Sequence, residues 1–198
     1  ISDVAKMVCV LIRAYAKQEV SMRLILAATL VLAPLFAFAA GADDTAPPQP
    51  TETTSECAKG EVFDEKTATC IKVEGAGLTD DQRFGAVREL AHAGRYDEAF
   101  AILHTMTEGE TARVMTYEGF LLRKTGHVQE GIAAYERAIA LDAGNILARS
   151  YYGQLLVEMN EMALAKVQLA AILSNGGTGT WAETSLASAI NTGVTYKY

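Results

Sequence analysis

The sequence contains few of the residues that carry out catalysis or bind metals. Its three histidines, His92, His104 and His127, lack the paired spacing of a metal-binding motif, and we expect the first two at the surface. Neither a nucleophile elbow nor a Ser–His–Asp arrangement is apparent. We therefore expect a protein without enzyme activity, without a cofactor and without a metal site.

Basic residues are also scarce, which bears on the class of partner. Lys and Arg number 17 against 24 Asp and Glu, so the formal net charge is −7. Because no basic stripe is present to neutralise phosphates, the sequence argues against a nucleic-acid-binding protein. The stretch NGGTGT at 175–180 resembles a phosphate loop, but it lacks the required Lys and the preceding strand. We interpret it as a linker to the last helix.

Proline and aromatic residues are few, at four prolines and 8% aromatics, whereas half of the residues are hydrophobic. This composition favours a helical protein that is rich in Ala and Leu. The chain of 198 residues is long enough for one domain with appendages.

Residues 22–39 have the pattern of a secretory signal peptide. Arg23 provides the positive start, an apolar run follows, and small residues around Ala39 form a cleavage site. The alternative, a membrane-spanning helix, would need about 20 apolar residues. We expect cleavage near Ala39, no stable membrane insertion afterwards, and a periplasmic or secreted protein of a Gram-negative-type bacterium. Residues 1–21 precede Met22, and we interpret them as the product of a misplaced start.

Two cysteines predict a small disulfide-linked element after this leader. Residues 40–55 are rich in Pro, Thr and acid, and we expect a disordered linker. Residues 56–74 contain strand-like segments around a turn, bracketed by Cys57 and Cys70. In an exported protein this pattern indicates a disulfide-closed β-hairpin. Free thiols and a catalytic pair remain alternatives, although a redox pair is usually spaced C-x-x-C.

A sequence pattern recurs three times in the second half of the chain. GRYDEAFAILHTM, GHVQEGIAAYERA and NEMALAKVQLAAI begin at Gly94, Gly126 and Asn160, with offsets of 32 and 34 residues. A period in this range indicates stacked repeats that cannot bury their apolar faces alone. Each run has a hydrophobic residue two positions after its start (Tyr96, Val128 and Met162). A small residue follows five positions after the start (Ala99, Gly131 and Ala165), and a large one nine positions after it (Leu103, Tyr135 and Leu169).

The segments before these runs complete each unit as a pair of antiparallel helices. Gly94 and Gly126 suit the left-handed position that ends a helix. Gly119 and Gly153 lie seven residues before a turn residue, where Val87 stands in the first unit. We expect both glycines where neighbouring helices approach closely.

The repeats resemble the tetratricopeptide repeat (TPR) family. The middle unit matches the family pattern best. The departures are Gly131 and Ala143 in this unit and Asn160 in place of the third turn glycine. The resemblance implies an all-α fold over 79–192, an antiparallel helix-pair solenoid of about three units. The matching residues are Gly119, Leu122, Gly126, Tyr135, Ala138, Leu141 and Asn145.

Both ends of this domain carry helix-start signals. Thr79 with Gln82, and Thr180 with Glu183, have the spacing of capping boxes. The second opens a capping helix at 180–191, in which we expect Glu183 and Ser185 to face water. We expect Trp181 to pack on the third unit, with a ligand platform as the alternative.

In this family the first helix of each repeat lines a concave face, which the resemblance implies here as well. It implies a non-catalytic module that binds a peptide or partner helix. Cations on one face of an acidic chain favour a partner with an acidic segment; alternatively, they are only solvated charges. An envelope-associated structural protein, in peptidoglycan or outer-membrane assembly, is the second hypothesis, and an enzyme is the third. The candidate groove comprises Phe84, Arg88, His92, Arg113, Phe120, Arg123, Lys124, Ser150, Gln154 and Glu158.

Overall fold

The computed structural model describes residues 53, 56–64, 66–73 and 77–196. They form two short β-strands followed by seven α-helices, so the fold is mostly helical. The expected leader at 1–39 lies outside the described residues, as does the linker at 40–55 apart from Thr53. Among the described helices, none combines the length and the apolar character that a membrane crossing requires.

The two strands form the predicted hairpin. Strand β1 (Glu61–Asp64) pairs antiparallel with β2 (Thr69–Lys72), and Asp64 accepts hydrogen bonds from the turn between them. A disulfide joins Cys57 to Cys70, which confirms the expected bond and excludes the free-thiol alternative. Val62 of this hairpin is buried in the same hydrophobic core as the first helices.

The helices follow as three pairs and a single last helix. Within each pair a three-residue turn, at 93–95, 125–127 and 159–161, joins the two helices. Successive pairs also contact each other, mainly through neighbouring helices. The bounds are α1 Asp80–His92, α2 Tyr96–Leu103, α3 Ala112–Lys124, α4 Val128–Leu141, α5 Ile146–Glu158, α6 Met162–Ser174 and α7 Trp181–Thr192.

The three turns have the same backbone geometry. Gly94, Gly126 and Asn160 have φ angles of 75°, 89° and 63°, in the left-handed region predicted for the two glycines. In each turn the next amide donates to a carbonyl five residues earlier, at 2.8, 2.8 and 2.7 Å. This Schellman bond satisfies a carbonyl at the end of the helix, so all three first helices end in the same way.

Two glycines allow close helix contacts, as predicted. A Cβ at Gly119 would lie 2.7 Å from the Tyr135 ring, which packs from α4. A Cβ at Gly153 would lie 2.5 Å from Leu186 of α7. Neither position has space for a side chain.

The ends of the helical domain differ in part from the expectation. Thr79 and Gln82 form the complete capping box. Thr180 accepts from the Glu183 amide, but the Glu183 carboxylate accepts from Gly179 at 2.7 Å instead of from Thr180. The prediction that Ser185 faces water is wrong, because Ser185 is buried and hydrogen-bonded to α5.

Candidate functional site

Several residues of the candidate groove are buried rather than exposed on its surface. Phe84 and Phe120 belong to the main core, where Tyr117 lies at ring-centroid distances of 5.2 and 6.0 Å. Arg88 is also buried. His92 is half-buried, whereas His104 is exposed as expected.

An ion pair between a buried arginine and a more exposed glutamate links the second and third helix pairs. Arg123 donates to both Glu158 oxygens at 2.8 and 2.6 Å, and its side chain is only 2% exposed. Burial acts to lower the pKa of Arg123, but its bonds to Glu158 raise this pKa above its usual value. The alternative of a solvated charge is therefore wrong for Arg123. Its charge is matched by Glu158.

Glu158 has partners on both sides of its carboxylate. Burial acts to raise its pKa, but hydrogen bonds from Arg123 and Thr195 and the charge of Lys124 outweigh burial. The pKa of Glu158 is therefore held below its usual value. The carboxylate stays ionised at neutral pH and can accept hydrogen bonds at the surface.

A small polar cluster connects α5 with α7. The hydroxyls of Ser150 and Ser185 are 3.0 Å apart, and Gln154 Nε2 lies 3.5 Å from each. This arrangement turns Gln154 Oε1 toward the segment after α7, where it accepts from the Tyr196 amide at 3.1 Å. The two serines thus orient the buried Gln154 amide toward the main chain of Tyr196.

The segment Val194–Tyr196, which follows α7, lies on the candidate groove. Lys124 Nζ donates to the Tyr196 carbonyl at 3.1 Å, and the Thr195 hydroxyl donates to Glu158 at 2.6 Å. The Tyr196 ring meets Trp181 edge-on at 5.4 Å. Lys124, Glu158 and Gln154, all predicted groove residues, therefore contact one segment of the same chain.

Trp181 also contacts the helices beneath it. Its ring lies 5.8 Å from that of Tyr151 on α5, in an edge arrangement. The expected packing on the third unit is confirmed. The same ring also contacts the Tyr196 ring edge-on.

Arg113 lies at the opposite end of the candidate groove. It donates to Glu108 at 2.8 Å and to Asp81 at 2.7 Å, and it lies over the Phe84 ring. The Glu108 bonds raise the pKa of Arg113 above its usual value, against the effect of burial. Beside it is a cavity of about 240 Å³, which Tyr117 and Asn145 also line. The cation is neutralised by its neighbours.

Among the described residues, no group of three or more His, Cys, Asp or Glu side chains could hold a metal ion. No protein-family model, curated protein or solved structure matches the chain.

Proposed function

We propose that residues 79–192 form a TPR-like solenoid that serves as a non-catalytic protein-interaction module. The identical turns at Gly94, Gly126 and Asn160 support this proposal. Contacts of each first helix with the first helix of the next pair also support it. Repeat arrays of this kind offer extended surfaces for binding.

The observation that carries the proposed function is the contact between the candidate groove and Val194–Tyr196. There, Lys124 and Gln154 bind the main-chain carbonyl and amide of Tyr196. Main-chain groups are common to all peptides, so a surface that binds them suits an extended peptide. We propose that the groove binds such a segment of another protein.

Export to an oxidising compartment is part of the same proposal. The Cys57–Cys70 disulfide and the signal-like pattern at 22–39 support it, because disulfides persist mainly outside the cytosol. The partner would then be a periplasmic or secreted protein.

Lys124 is the groove cation that contacts the docked segment, and we propose that it attracts an acidic segment of the partner. Arg123 and Arg113 are paired with carboxylates of the chain, and Lys124 donates to the Tyr196 carbonyl while its charge acts on Glu158. An acidic group at this position would gain an ion pair, which weakens as salt rises because exposed charges are screened over about 8–10 Å.

The test compares two charge reversals in affinity capture from a periplasmic extract. Lys124→Glu should abolish capture of a stoichiometric partner, while Lys166→Glu, at an exposed site on α6, should leave capture intact. Circular dichroism checks that both variants remain folded. Equal capture by the two variants would place the partner elsewhere and contradict the proposal.

A further inference from the structure

We infer that Val194–Tyr196 is an intramolecular ligand of the candidate groove, and that the partner presents a Ser or Thr followed by an aromatic residue. The inference rests on the proposed function, since it assumes that the groove binds peptides. It adds the sequence preference of the partner and a competing segment within the chain.

Two hydrogen bonds fix the register of the segment. The Tyr196 amide donates to Gln154 Oε1 at 3.1 Å, and the Tyr196 carbonyl accepts from Lys124 Nζ at 3.1 Å. Both bonds use the main chain of one residue. They therefore position any peptide without selecting its sequence.

Two side-chain contacts supply the selection. The Thr195 hydroxyl donates to Glu158 at 2.6 Å, and Arg123 holds this carboxylate from the other side. An acidic residue at the Thr195 position would meet the Glu158 charge, whereas Ser or Thr supplies a donor. The Tyr196 ring packs edge-on against Trp181, with an interplanar angle of 71°, an arrangement that favours an aromatic residue.

The segment is suited to displacement. Val194 is 67% exposed and Tyr196 is 48% exposed, so little apolar surface is buried by docking. Segments with few buried contacts open at low free-energy cost. A tethered ligand nevertheless has an effective concentration on the order of millimolar. A partner must therefore compete with the segment, which lowers the apparent affinity of the groove.

Trp181 is the only tryptophan of the sequence and can report docking directly. In the full chain, Tyr196→Ala should shift the Trp181 emission because the ring contact is lost. Val194→Ala is the matched control, since this exposed neighbour lies outside the four contacts. It should leave the emission as in the parent.

The second measurement is binding of a labelled synthetic peptide with the sequence of residues 192–198, TGVTYKY. By fluorescence anisotropy, Tyr196→Ala should bind it at least roughly fivefold more tightly than the parent, because the competing segment is weakened. In the control peptide, TGVAAKY, alanine replaces the residues that correspond to Thr195 and Tyr196, so that their hydroxyl and aromatic ring are absent. It should bind both proteins more weakly than TGVTYKY.

The outcomes separate this inference from the proposed function. An unchanged emission in Tyr196→Ala overturns the inference, because the segment is then not docked. A shifted emission without tighter binding of TGVTYKY to Tyr196→Ala than to the parent also overturns it, because the segment then only stabilises the fold and does not compete for the groove. In either case, loss of partner capture by Lys124→Glu still supports the proposed function. Equal binding of TGVTYKY and TGVAAKY overturns the Ser/Thr–aromatic preference.

Discussion

A half-buried carboxylate beside an arginine makes protein stability depend on pH. Glu158 bonds to Arg123 and Thr195, and its pKa in the folded protein lies below its usual value. The folded state therefore releases this proton more readily than the unfolded chain does. The resulting stabilisation is complete above the unfolded pKa, about 4.3, and is lost as the pH falls through the lower folded pKa.

We expect Glu158→Gln to reduce the acid dependence of stability. The parent should lose stability from about pH 5 downward, and Glu158→Gln should lose less over the same range, because it lacks this carboxylate. Urea unfolding between pH 7 and 3 measures the difference. Glu130→Gln, at an exposed site on α4, serves as the control. A steeper pH dependence for Glu158→Gln than for the parent would show that the ion pair does not lower the pKa.

At the scale of the helices, two glycines within helices differ in the space around them. A Cβ at Gly119 would meet the buried Tyr135 ring at 2.7 Å, while a Cβ at Gly85 in α1 has no neighbour within 4 Å. We expect Gly119→Ala to destabilise the protein by about 1–3 kcal/mol, because the helix contact is overpacked. Gly85→Ala should stabilise it by up to about 1 kcal/mol through helix propensity.

Thermal and urea unfolding of both variants measure these changes. If Gly119→Ala is as stable as the parent, Tyr135 must be able to move aside and the contact is not tight. A loss of stability in Gly85→Ala would show that α1 requires glycine at this position for a reason other than steric overlap of the added methyl group.

The helix turns could be predicted from the sequence because their cause is local. A residue that accepts the left-handed conformation follows each first helix, and Gly94 and Gly126 have no side chain to oppose it. Asn160, at the third turn, adopts a similar φ angle of 63°. Gly119 and Gly153 were predictable for a related reason, since small residues in an apolar pattern indicate a close neighbour.

The docked segment could not be predicted, because its contacts are distant in sequence. Lys124 and Tyr196 are separated by 72 residues, and Glu158 and Thr195 by 37. Val194–Tyr196 has no repeat or helix-start signal of its own. Ser185 was assigned to the wrong side for a similar reason, since its burial depends on Ser150 of α5.

At the scale of the whole molecule, the hairpin packs on the first helix pair. Val62 and Val73 share a core with Leu90 of α1 and Ile102 of α2. The disulfide closes a separation of 13 residues, and its loss should cost about 3 kcal/mol by the chain-entropy model. Because the helix pairs contact each other mainly through neighbouring helices, we expect such a loss to affect the nearest pair most.

We therefore expect reduction of the Cys57–Cys70 bond to loosen α1 and α2 before the other helices. Hydrogen exchange, compared between oxidised and reduced protein, should become faster in the hairpin, α1 and α2, while α5, α6 and α7 keep their protection. The helical circular dichroism should change little, because most helices lie outside the first pair. The Cys57→Ser/Cys70→Ser variant controls for direct effects of the reductant. Equal acceleration in all helices would instead show that the hairpin and the array unfold as one cooperative unit.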